Sequence, residues 1–442
     1  MGELTIADNC RGIKFSELDG SDKGDFDNLR NIANRSIETL VNENPHLLIF
    51  PHSLHYNPDK IEEDCILRMS GGVDNAEIST GNIAGFIGYK DTQLTINSRF
   101  QTGEQDYFLQ YMVQKVFLPN VFDLPHTTNT ENVFDVLPLM FPYYLNKSLK
   151  QGVFKTYQKF ERNDSRVKGV INVDRHIKLN IPFMGKIAYT SRECSYDNPM
   201  IQLIRHTIEY IKSKKYGKSI LTGSSDIQSA VRQIIEVTHS YAVQQRQSVI
   251  NKNLKPVNHP YYSEYRPLQK LCMAILNHKK LSYGRGANKV YGLLFDCAWL
   301  WEEYLATILK SQGFTHPLNR LNKGAIYVDK EYKYPRYPDY YKRNQNPDDN
   351  CIIDAKYKRM EIKKHLDRDD LNQLITYLHI LPSKKAYLVY PFGKDEVEEK
   401  QIDLIRGEEI KIQGFKISQK TQYEDFCDGM VDSEQALIKN IK

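Results

Sequence analysis

Acidic and basic side chains that could act together in catalysis are concentrated between Tyr334 and Tyr377. Within this stretch, the segment CIIDAKYK at 351–358 begins with an apolar run that is typical of a buried strand. Because successive side chains of a strand alternate between its faces, Asp354 and Lys356 project from the same face. A buried carboxylate is costly unless it has a partner, so this pair is a candidate functional site.

Three further polar side chains are expected at the same point. Asp339 lies 15 residues before Asp354, at the end of another predicted strand. Gln373 and Tyr377 are four residues apart on a predicted helix and therefore share one of its faces. We expect Asp339, Asp354, Lys356 and Gln373 to converge, with Tyr377 beside them.

Hydrolysis of a phosphodiester bond is the chemistry that this set of side chains fits. A divalent metal ion activates water and neutralises the developing charge, and its preferred ligands are oxygens. Asp339 and Asp354 supply carboxylate oxygens, and Glu302 on a preceding helix is the predicted third metal ligand, with Glu303 as the alternative. Lys356 is placed to orient or deprotonate the attacking water beside the phosphate.

An acid and a lysine two residues apart are not a specific signal by themselves. The same spacing recurs in Glu331 with Lys333, Glu361 with Lys363 and Glu409 with Lys411. Only Asp354 with Lys356 follows an apolar strand and precedes a helix that carries Gln373. The strand context therefore carries the prediction, not the spacing.

Residues 286–442 are predicted to form an α/β domain with a mixed central sheet flanked by helices, because CIIDA at 351–355 is apolar on both faces. The predicted elements are helices at 289–314 and 369–381 and strands at 325–329, 337–341, 351–358, 386–391 and 410–418 in a β-rich tail.

The rest of the chain is expected to hold two further domains, since 442 residues exceed one typical domain. Residues 1–130 are predicted to form a small, mostly antiparallel β-rich module, and residues 131–285 are predicted to be helical with extended hairpin arms. Together they make the N-terminal part α+β. The predicted elements are helices at 25–43, 106–118, 132–160, 198–215, 226–250 and 266–281, strands at 46–50, 65–69, 82–89 and 93–100, and arms at 166–196.

Composition sets limits on partners and location. The net charge of +5 permits a nucleic-acid partner without requiring one. The seven cysteines are scattered and form no CxxC pair, which is typical of reduced thiols in a cytoplasmic protein. The longest apolar run, 133–145, contains Asp135, Pro138 and Pro142 and is too short for a membrane span, so no membrane association is expected.

The chain is not expected to bind a nucleotide. Its Gly-Lys-Ser at 217–219 follows a predicted helix, and Lys212 stands where a phosphate-binding loop requires glycine. The aromatic and basic segment HPYYSEYRPLQK at 259–270 has two interpretations, a DNA contact surface or a tyrosine-lined packing face, of which packing is favoured.

PDYY, IIDAKYK and DLNQLITY resemble the PD-(D/E)xK nuclease superfamily, in the subgroup with a Q-x-x-x-Y helix. A longer match runs from HPYYSEYRPLQKLCMAIL through LLFDCAWLWEEYLATIL to DAKYKR. It resembles the McrC family of McrBC-type modification-dependent restriction systems, including the LlaJI-like relatives. TGNIAGFIGY, LTINSRF and RVKGVINVDRHIK extend the resemblance toward the N-terminus.

The resemblance implies a Mg²⁺-dependent DNA endonuclease of an antiviral restriction system, in which Mn²⁺ substitutes for Mg²⁺. It implies catalytic roles for Asp339, Asp354, Lys356 and Gln373, and metal-binding roles for both aspartates and Glu302. It also implies a partner, a McrB-like AAA+ GTPase hexameric ring that recognises modified DNA and translocates. By the same resemblance, residues 1–130 are expected to dock on the ring, residues 131–285 to contact the partner or DNA, and the chain to stimulate GTP hydrolysis by the ring.

Two rival functions remain open at this point. One is a non-catalytic activator of an AAA+ partner, which the intact set of acids and lysine disfavours. The other is a self-sufficient repair nuclease of the RecB type. The chain carries no helicase motif, and this absence neither favours nor excludes such a nuclease.

Overall fold

The computed structural model describes residues 2–44, 47–51, 65–103, 105–117, 137–214, 217–282, 290–317, 323–359, 366–393 and 399–441. They group into two compact units: unit 1 comprises Met1–Leu139 with Lys279–Lys442, and unit 2 comprises Met140–His278. The predicted domain boundaries at 130 and 285 lie outside the described residues, so the three-domain division stays a prediction. In the described segments there are 13 α-helices and 18 strands, which makes this a mixed α/β protein.

The first sheet of unit 1 has five strands in the order β1-β7-β6-β11-β3. Their bounds are Gly2–Ala7 (β1), Leu47–Phe50 (β3), Ile83–Tyr89 (β6), Thr92–Asn97 (β7) and Val290–Asp296 (β11). The predicted strands near 46–50, 82–89 and 93–100 are confirmed. The sheet is mixed, because β1 pairs with β7 and β3 pairs with β11 in parallel.

Strand β11 corrects the predicted helix over 289–314, in which only Cys297–Leu309 (α11) is an α-helix. Residues 290–295 are all buried, and β11 lies between β6 and β3. A fully buried strand has the same unbroken apolar pattern as a buried helix. The helix begins only where the Asp296 carboxylate accepts hydrogen bonds from the N–H groups of Ala298 and Trp299.

A small three-stranded sheet and two helices pack in the same part of unit 1. The strands are Ile13–Lys14 (β2), Leu67–Ser70 (β4) and Glu77–Thr80 (β5), and the helices are Lys23–Arg30 (α1) and Ile37–Glu43 (α2). The single helix predicted at 25–43 is therefore wrong. Asn34 adopts a left-handed conformation at φ 59°, and Ser36 caps the new helix by accepting the N–H of Thr39.

The second sheet of unit 1 has the order β14-β15-β16-β18-β17. Its strands are Tyr340–Lys342 (β14), Cys351–Ala355 (β15), Lys385–Phe392 (β16), Glu399–Asp403 (β17) and Glu409–Lys416 (β18), and a separate ladder joins Ile326–Tyr327 (β12) to Pro335–Arg336 (β13). β15, β16 and β18 pair in parallel, and the two edge strands are antiparallel. The predicted mixed sheet is confirmed.

Helices lie on both faces of this second sheet, as predicted. Helix Arg368–Ile380 (α12) shares an apolar cluster with Ile352 and Ile412. Phe415 is three residues after Ile412 and faces the opposite side, where Trp301 and Tyr304 of α11 contact it. The β-rich tail is corrected after β18, because Tyr423–Ile441 (α13) is a helix whose period is clear from its buried residues.

Two further helices belong to the N-terminal half of the chain, Tyr107–Phe117 (α3) and Leu137–Leu149 (α4). The predicted helix at 106–118 is confirmed. The helix predicted at 132–160 is wrong beyond α4, and its first five residues lie outside the described segments. The chain turns at Gly152, which has φ 85°, and residues 156–160 then enter a strand.

Unit 2 carries an arm, defined here as residues 156–195. It contains strands Thr156–Asp164 (β8), Val170–Ile171 (β9) and Ile187–Ser195 (β10) and the short helix Val173–Leu179 (α5). β8 and β10 pair antiparallel over nine residues each, so the predicted extended hairpin is confirmed and starts about ten residues earlier than expected.

The remaining helices of unit 2 are Pro199–Lys212 (α6), Gly217–Thr222 (α7), Ser225–Val237 (α8), Arg246–Lys252 (α9) and Tyr265–Ser282 (α10). The single helix predicted at 226–250 is therefore wrong. The Thr238 hydroxyl donates to the carbonyl of Ile234, and the N–H of Ser240 donates to Asp197 instead of continuing the helix.

The aromatic segment at 259–270 packs mainly inward. Tyr262 and Tyr265 are buried and contact the ring of Phe154, whereas Tyr261 is exposed. This arrangement favours the packing interpretation of the segment.

Two chain-wide features complete the fold. All seven cysteines lie in described segments and are free thiols. Among the helices that the structure describes, none combines the length and the apolar character needed to cross a membrane.

Candidate functional site

The candidate site forms where β14 and β15 lie side by side. Asp339 immediately precedes β14, Asp354 is the fourth residue of β15, and Lys356 follows the end of that strand. The N–H of Ala355 donates to Asp339 Oδ2 at 2.7 Å, and the N–H of Lys356 donates to the carbonyl of Val389 at 2.9 Å. The backbone at the end of β15 is therefore hydrogen-bonded to Asp339, just before β14, and to Val389 of β16.

The carboxylate of Asp354 is completely buried and poorly satisfied. Its residue is 0% exposed, and within the described residues neither of its oxygens accepts a well-directed hydrogen bond. The nearest cation is Lys356, whose Nζ lies 2.9 Å from Asp354 Oδ2. An ion pair of this kind offsets only part of the desolvation cost, because a buried carboxylate has about four lone-pair positions.

A chain of hydrogen bonds fixes the ammonium of Lys356. Lys356 Nζ donates to Gln373 Oε1 at 3.2 Å, and Gln373 Nε2 donates to the Tyr377 hydroxyl at 2.9 Å. The Tyr377 hydroxyl in turn donates to the carbonyl of Tyr337 at 3.2 Å. The structure thus brings Gln373 and Tyr377 of α12 to the strand pair, as the four-residue spacing predicted.

Glu302 and Glu303 of α11 have different surroundings. Glu303 Oε1 lies 3.9 Å from Nε2 of His316, and its side chain is 28% exposed. Burial and then the negative charge of Asp339 raise the pKa of Glu302 well above its ordinary value. The two glutamates therefore differ in their charge environment, and the choice of Glu302 over Glu303 as a metal ligand stays a prediction.

The acids of the site repel one another. Burial and then the charge of Asp354 raise the pKa of Asp339 to about 7. Burial also raises the pKa of Asp354, although Lys356 opposes the shift. Burial disfavours the charged form of Lys356, yet the two aspartates outweigh it and raise its pKa. One ammonium therefore faces several carboxylates, which leaves an excess of negative charge.

Two neighbours of the site were not predicted from the sequence. Asp370 Oδ1 lies 3.9 Å from Lys356 Nζ, and its other oxygen pairs with Lys358. Its position three residues before Gln373 on α12 was a usable signal, since such residues share a helix face. His316 Nδ1 lies 2.7 Å from the carbonyl oxygen of Asp339, and no local pattern indicates that contact.

The donor set suits Mg²⁺ better than a metal that requires a complete protein cage. Mg²⁺ is commonly held by one or two carboxylates and completes its octahedron with water and phosphate oxygens. Asp354 offers buried oxygens with spare lone pairs, and the N–H of the next residue, Ala355, donates to Asp339. In the segments that the structure describes, no group of three or more His, Cys, Asp or Glu side chains is arranged to hold a metal ion. The assigned metal-binding and catalytic roles stay predictions.

Comparison with known proteins gives the family. Residues 78–391 match the family model described as McrBC 5-methylcytosine restriction system component. None of the curated proteins matches this chain.

Two solved structures from Thermococcus gammatolerans are similar to this chain. In the refined half-complex from the tetradecameric assembly of McrB AAA+ hexamers with bound McrC, the matching chain is 13% identical, with a TM-score of 0.51. The match covers 97% of this chain and 99% of that chain. The second structure, the McrBC complex by cryo-EM, is 12% identical over 70% of this chain and 87% of that chain, with a TM-score of 0.33.

The first structural match shows a likeness of fold, and the family model spans most of the sequence and includes Asp339, Asp354, Lys356 and Gln373. The resemblance inferred from the sequence motifs is thereby confirmed. This chain belongs to the McrBC 5-methylcytosine restriction system component family.

Proposed function

We propose that this chain is the McrC-like DNA endonuclease subunit of a restriction complex and hydrolyses phosphodiester bonds with Mg²⁺ at Asp339, Asp354 and Glu302. The observation that carries the proposal is the Asp354 carboxylate, which is fully buried at a strand end without well-directed hydrogen bonds in the described structure. A structural carboxylate at that depth normally has several donors. A carboxylate that receives a divalent cation does not need them.

The charge of the site supports the same conclusion. The pKa of Asp339 is raised to about 7 by burial and by Asp354, which indicates that ionising all the acids of the site at neutral pH is unfavourable. Metal coordination removes this repulsion, because a bound divalent ion favours the ionised form of each ligand. When bound, Mg²⁺ polarises a phosphate and makes a water molecule a better nucleophile.

The protein's own residues then have distinct tasks. Lys356 presents a charged ammonium that donates to a phosphate oxygen or to the attacking water. Gln373 holds that ammonium in place from α12, and Tyr377 holds Gln373 through the carbonyl of Tyr337. The Ala355 N–H donates to one oxygen of Asp339, which limits the rotation of that carboxylate.

We further propose that the arm of unit 2 engages a McrB-like AAA+ GTPase ring. From the start of β9 to the residues before β10, the arm exposes many apolar side chains, namely Val170, Ile171, Val173, Ile177, Leu179, Ile181, Phe183 and Met184. Val170 is 78% and Met184 is 82% exposed. A patch of this kind is typical of a protein interface.

The partner assignment rests on the family and on the matched half-complex, in which McrC is bound to McrB AAA+ hexamers. This chain has α6 before its Gly-Lys-Ser and Lys212 where a phosphate-binding loop has glycine, so the motor is assigned to the partner.

The test of the catalytic site compares two acid-to-amide substitutions, each at an acid that lies two residues before a lysine. Asp354→Asn is expected to abolish Mg²⁺-dependent cleavage of methylated DNA by the complex with the McrB-like protein of the same genome. Glu409→Gln is the matched control, because Glu409 also precedes a lysine by two residues, with Lys411 Nζ 3.7 Å away, but both side chains are about one-third exposed.

Both variants are expected to bind the partner and to stimulate its GTP hydrolysis as the wild type does. Full cleavage by Asp354→Asn contradicts the site. A wild-type complex that stimulates GTP hydrolysis but never cuts DNA supports the non-catalytic activator instead. Cleavage by the purified chain without any partner supports the self-sufficient repair nuclease.

The test of the arm uses Val170→Ser with Met184→Ser. Loss of both apolar side chains is expected to weaken association with the AAA+ ring about tenfold or more, measured by sedimentation or interferometry. Leu254→Ser is the control, because Leu254 is 69% exposed in unit 2 outside the arm. Unchanged association of the double variant contradicts this docking surface.

A further inference from the structure

The residues that follow Lys356 are held by a distant part of unit 1. Tyr357 is 6% exposed, and its hydroxyl lies 2.9 Å from Ser98 Oγ at the end of β7. The two residues are 259 positions apart in the sequence. The Phe100 ring meets the Tyr357 ring edge-on at 5.3 Å between centroids, and the Arg99 guanidinium lies 4.8 Å from the Tyr357 centroid.

The three residues Ser98, Arg99 and Phe100, here named the β7 clamp, are themselves rigidly held. Arg99 Nε donates to both oxygens of Asp8 at 3.1 Å, and Arg99 Nη2 donates to Asp8 Oδ2 at 2.8 Å. Both side chains are nearly inaccessible, at 8% for Arg99 and 0% for Asp8. A bidentate pair at that depth has little freedom to move.

The remaining polar groups of the clamp are also engaged. The N–H of Ser98 donates to Asp106, and the Ser98 hydroxyl oxygen accepts the N–H of Phe100 at 3.1 Å. The carbonyl of Arg99 accepts from Arg359, two residues beyond Tyr357. Contacts at Tyr357 and Arg359 therefore fix the chain on the far side of Lys356 from β15.

We propose that the β7 clamp positions Lys356 for cleavage, with Tyr357 as the positioning residue through which it acts. The inference rests on the proposed nuclease function. β15 fixes the backbone before Lys356, through the pairing of Asp354 and Ala355 with β16. The β7 clamp fixes the backbone immediately after Lys356, at Tyr357. Lys356 thus projects from a backbone anchored on both sides, which limits the positions that its ammonium can occupy.

The clamp explains a motif that the nuclease chemistry leaves unused. LTINSRF at 94–100 ends in the clamp residues, although it lies in the first sheet and far from the acids in sequence. The ion pair between Arg99 and Asp8 does not by itself link this motif to the candidate site. The contacts of the Arg99 guanidinium and the Phe100 ring with the ring of Tyr357 tie that motif to the site.

The test removes a single hydroxyl group. Tyr357→Phe keeps the ring and its stacking and deletes only the contact with Ser98 Oγ. In the complex with the AAA+ partner, the single-turnover cleavage rate at saturating DNA is expected to fall about tenfold, because small displacements of a catalytic group cost that much. The DNA concentration for half-saturation is expected to stay unchanged.

Tyr265→Phe is the matched control for loss of a buried tyrosine hydroxyl. Tyr265 is fully buried in unit 2, and its hydroxyl donates to the carbonyl of Gly152 at 2.7 Å. Because the Tyr265 hydroxyl also accepts the N–H of Phe154 at 3.1 Å, this variant is expected to lose at least as much stability as Tyr357→Phe without losing cleavage rate. Ser98→Ala combined with Tyr357→Phe is expected to be no slower than Ser98→Ala alone, since Ser98→Ala already removes the contact with Tyr357, together with the hydrogen bond from the Phe100 N–H.

Amide hydrogen exchange of a peptide covering 351–358 supplies a readout that needs no cleavage. Tyr357→Phe is expected to speed exchange at Ala355 and Lys356 about fivefold, the factor that corresponds to one lost hydrogen bond. If Tyr357→Phe leaves the exchange rate unchanged, the clamp proposal is wrong. It is also wrong if Tyr357→Phe speeds exchange but cleaves DNA as fast as Tyr265→Phe does. Faster exchange in a protein whose wild type does not cut DNA supports the clamp geometry and overturns the proposed function instead.

Discussion

Unit 1 buries two acid and base pairs that look alike in composition but differ in hydrogen bonding. Asp8 and Asp354 are 2% and 0% exposed, and each faces one basic side chain. Both oxygens of Asp8 accept hydrogen bonds from Arg99. Neither oxygen of Asp354 receives a well-directed one in the described structure, although Lys356 is 2.9 Å away.

The difference indicates which pair holds the fold together. A fully satisfied buried pair is stable as it stands, and removal of one partner leaves an uncompensated charge. An incompletely satisfied pair retains capacity for another ligand and costs stability until that ligand arrives. Burial alone therefore does not separate a structural carboxylate from a candidate catalytic one. The hydrogen-bond count does.

The largest expected contrast is in stability. Asp8→Asn is expected to lower the free energy of unfolding by about 3 kcal/mol, because Arg99 loses its charged partner inside the protein. Asp354→Asn is expected to leave it unchanged or to raise it. Both tryptophans, Trp299 and Trp301, lie in α11 of unit 1, so urea unfolding followed by tryptophan fluorescence reports on the unit that contains both pairs. Equal losses in the two variants contradict the distinction.

The response to metal ions is the next largest contrast. Mg²⁺ at 100 times its Kd is expected to stabilise the wild type and Asp8→Asn by about 2.7 kcal/mol in the same unfolding measurement. Asp354→Asn is expected to gain nothing, because its amide is a poor ligand for a hard cation. A chelator is expected to abolish both the added stability and DNA cleavage. A Mg²⁺ effect of equal size in all three proteins would indicate a metal site elsewhere.

The support of Lys356 gives a smaller effect. Gln373→Ala removes the oxygen that accepts from Lys356 Nζ, whereas the contact with Asp354 remains. The cleavage rate is expected to fall about tenfold, equivalent to about 1.4 kcal/mol of transition-state stabilisation. Asn372→Ala, on the adjacent position of α12, is the control and is expected to keep the wild-type rate. Complete loss of cleavage in Gln373→Ala would show a more direct role than support.

The smallest expected effect is a pH dependence beside the satisfied pair. Burial raises the pKa of Asp106 to about 6, above the ordinary value of 3.8. The folded state therefore holds this proton more tightly, and its stabilisation is complete below about pH 4 and is lost as the pH rises through about 6. Subtraction of the Asp106→Asn unfolding curve from the wild-type curve is expected to leave a slope confined to that range. A flat difference contradicts the raised pKa.

The candidate site could be predicted from the sequence because its pattern is local. The two-residue spacing of Asp354 and Lys356 and the four-residue spacing of Gln373 and Tyr377 fix side-chain directions within single elements. The structure brings these elements together at β14, β15 and α12. The choice between Glu302 and Glu303 could not be made in this way, because adjacent helical residues differ by about 100° in direction and the helix is apolar on most sides.

The fold was predicted less well wherever long-range contacts decide it. The apolar run at 290–296 reads equally well as a helix or as a strand, and it is a strand because β3 and β6 lie on either side of it. Residues 156–160 continue a helical pattern, yet pairing with β10 makes them the start of the arm. None of these partner strands, β3, β6 and β10, is next in the sequence to the strand that it pairs with.

The sequence by itself determined the family, the mixed sheet of the C-terminal region and the identities of the candidate site residues, because motifs, alternation and helical spacing are local properties. Only the tertiary structure decided that Asp339 accepts from the N–H of Ala355, that Asp354 lacks the hydrogen bonds that Asp8 has, and that Ser98 and Phe100 reach Tyr357. Those three facts depend on elements separated by many residues in the chain. Burial and pairing between such elements are set by packing, which no local pattern encodes.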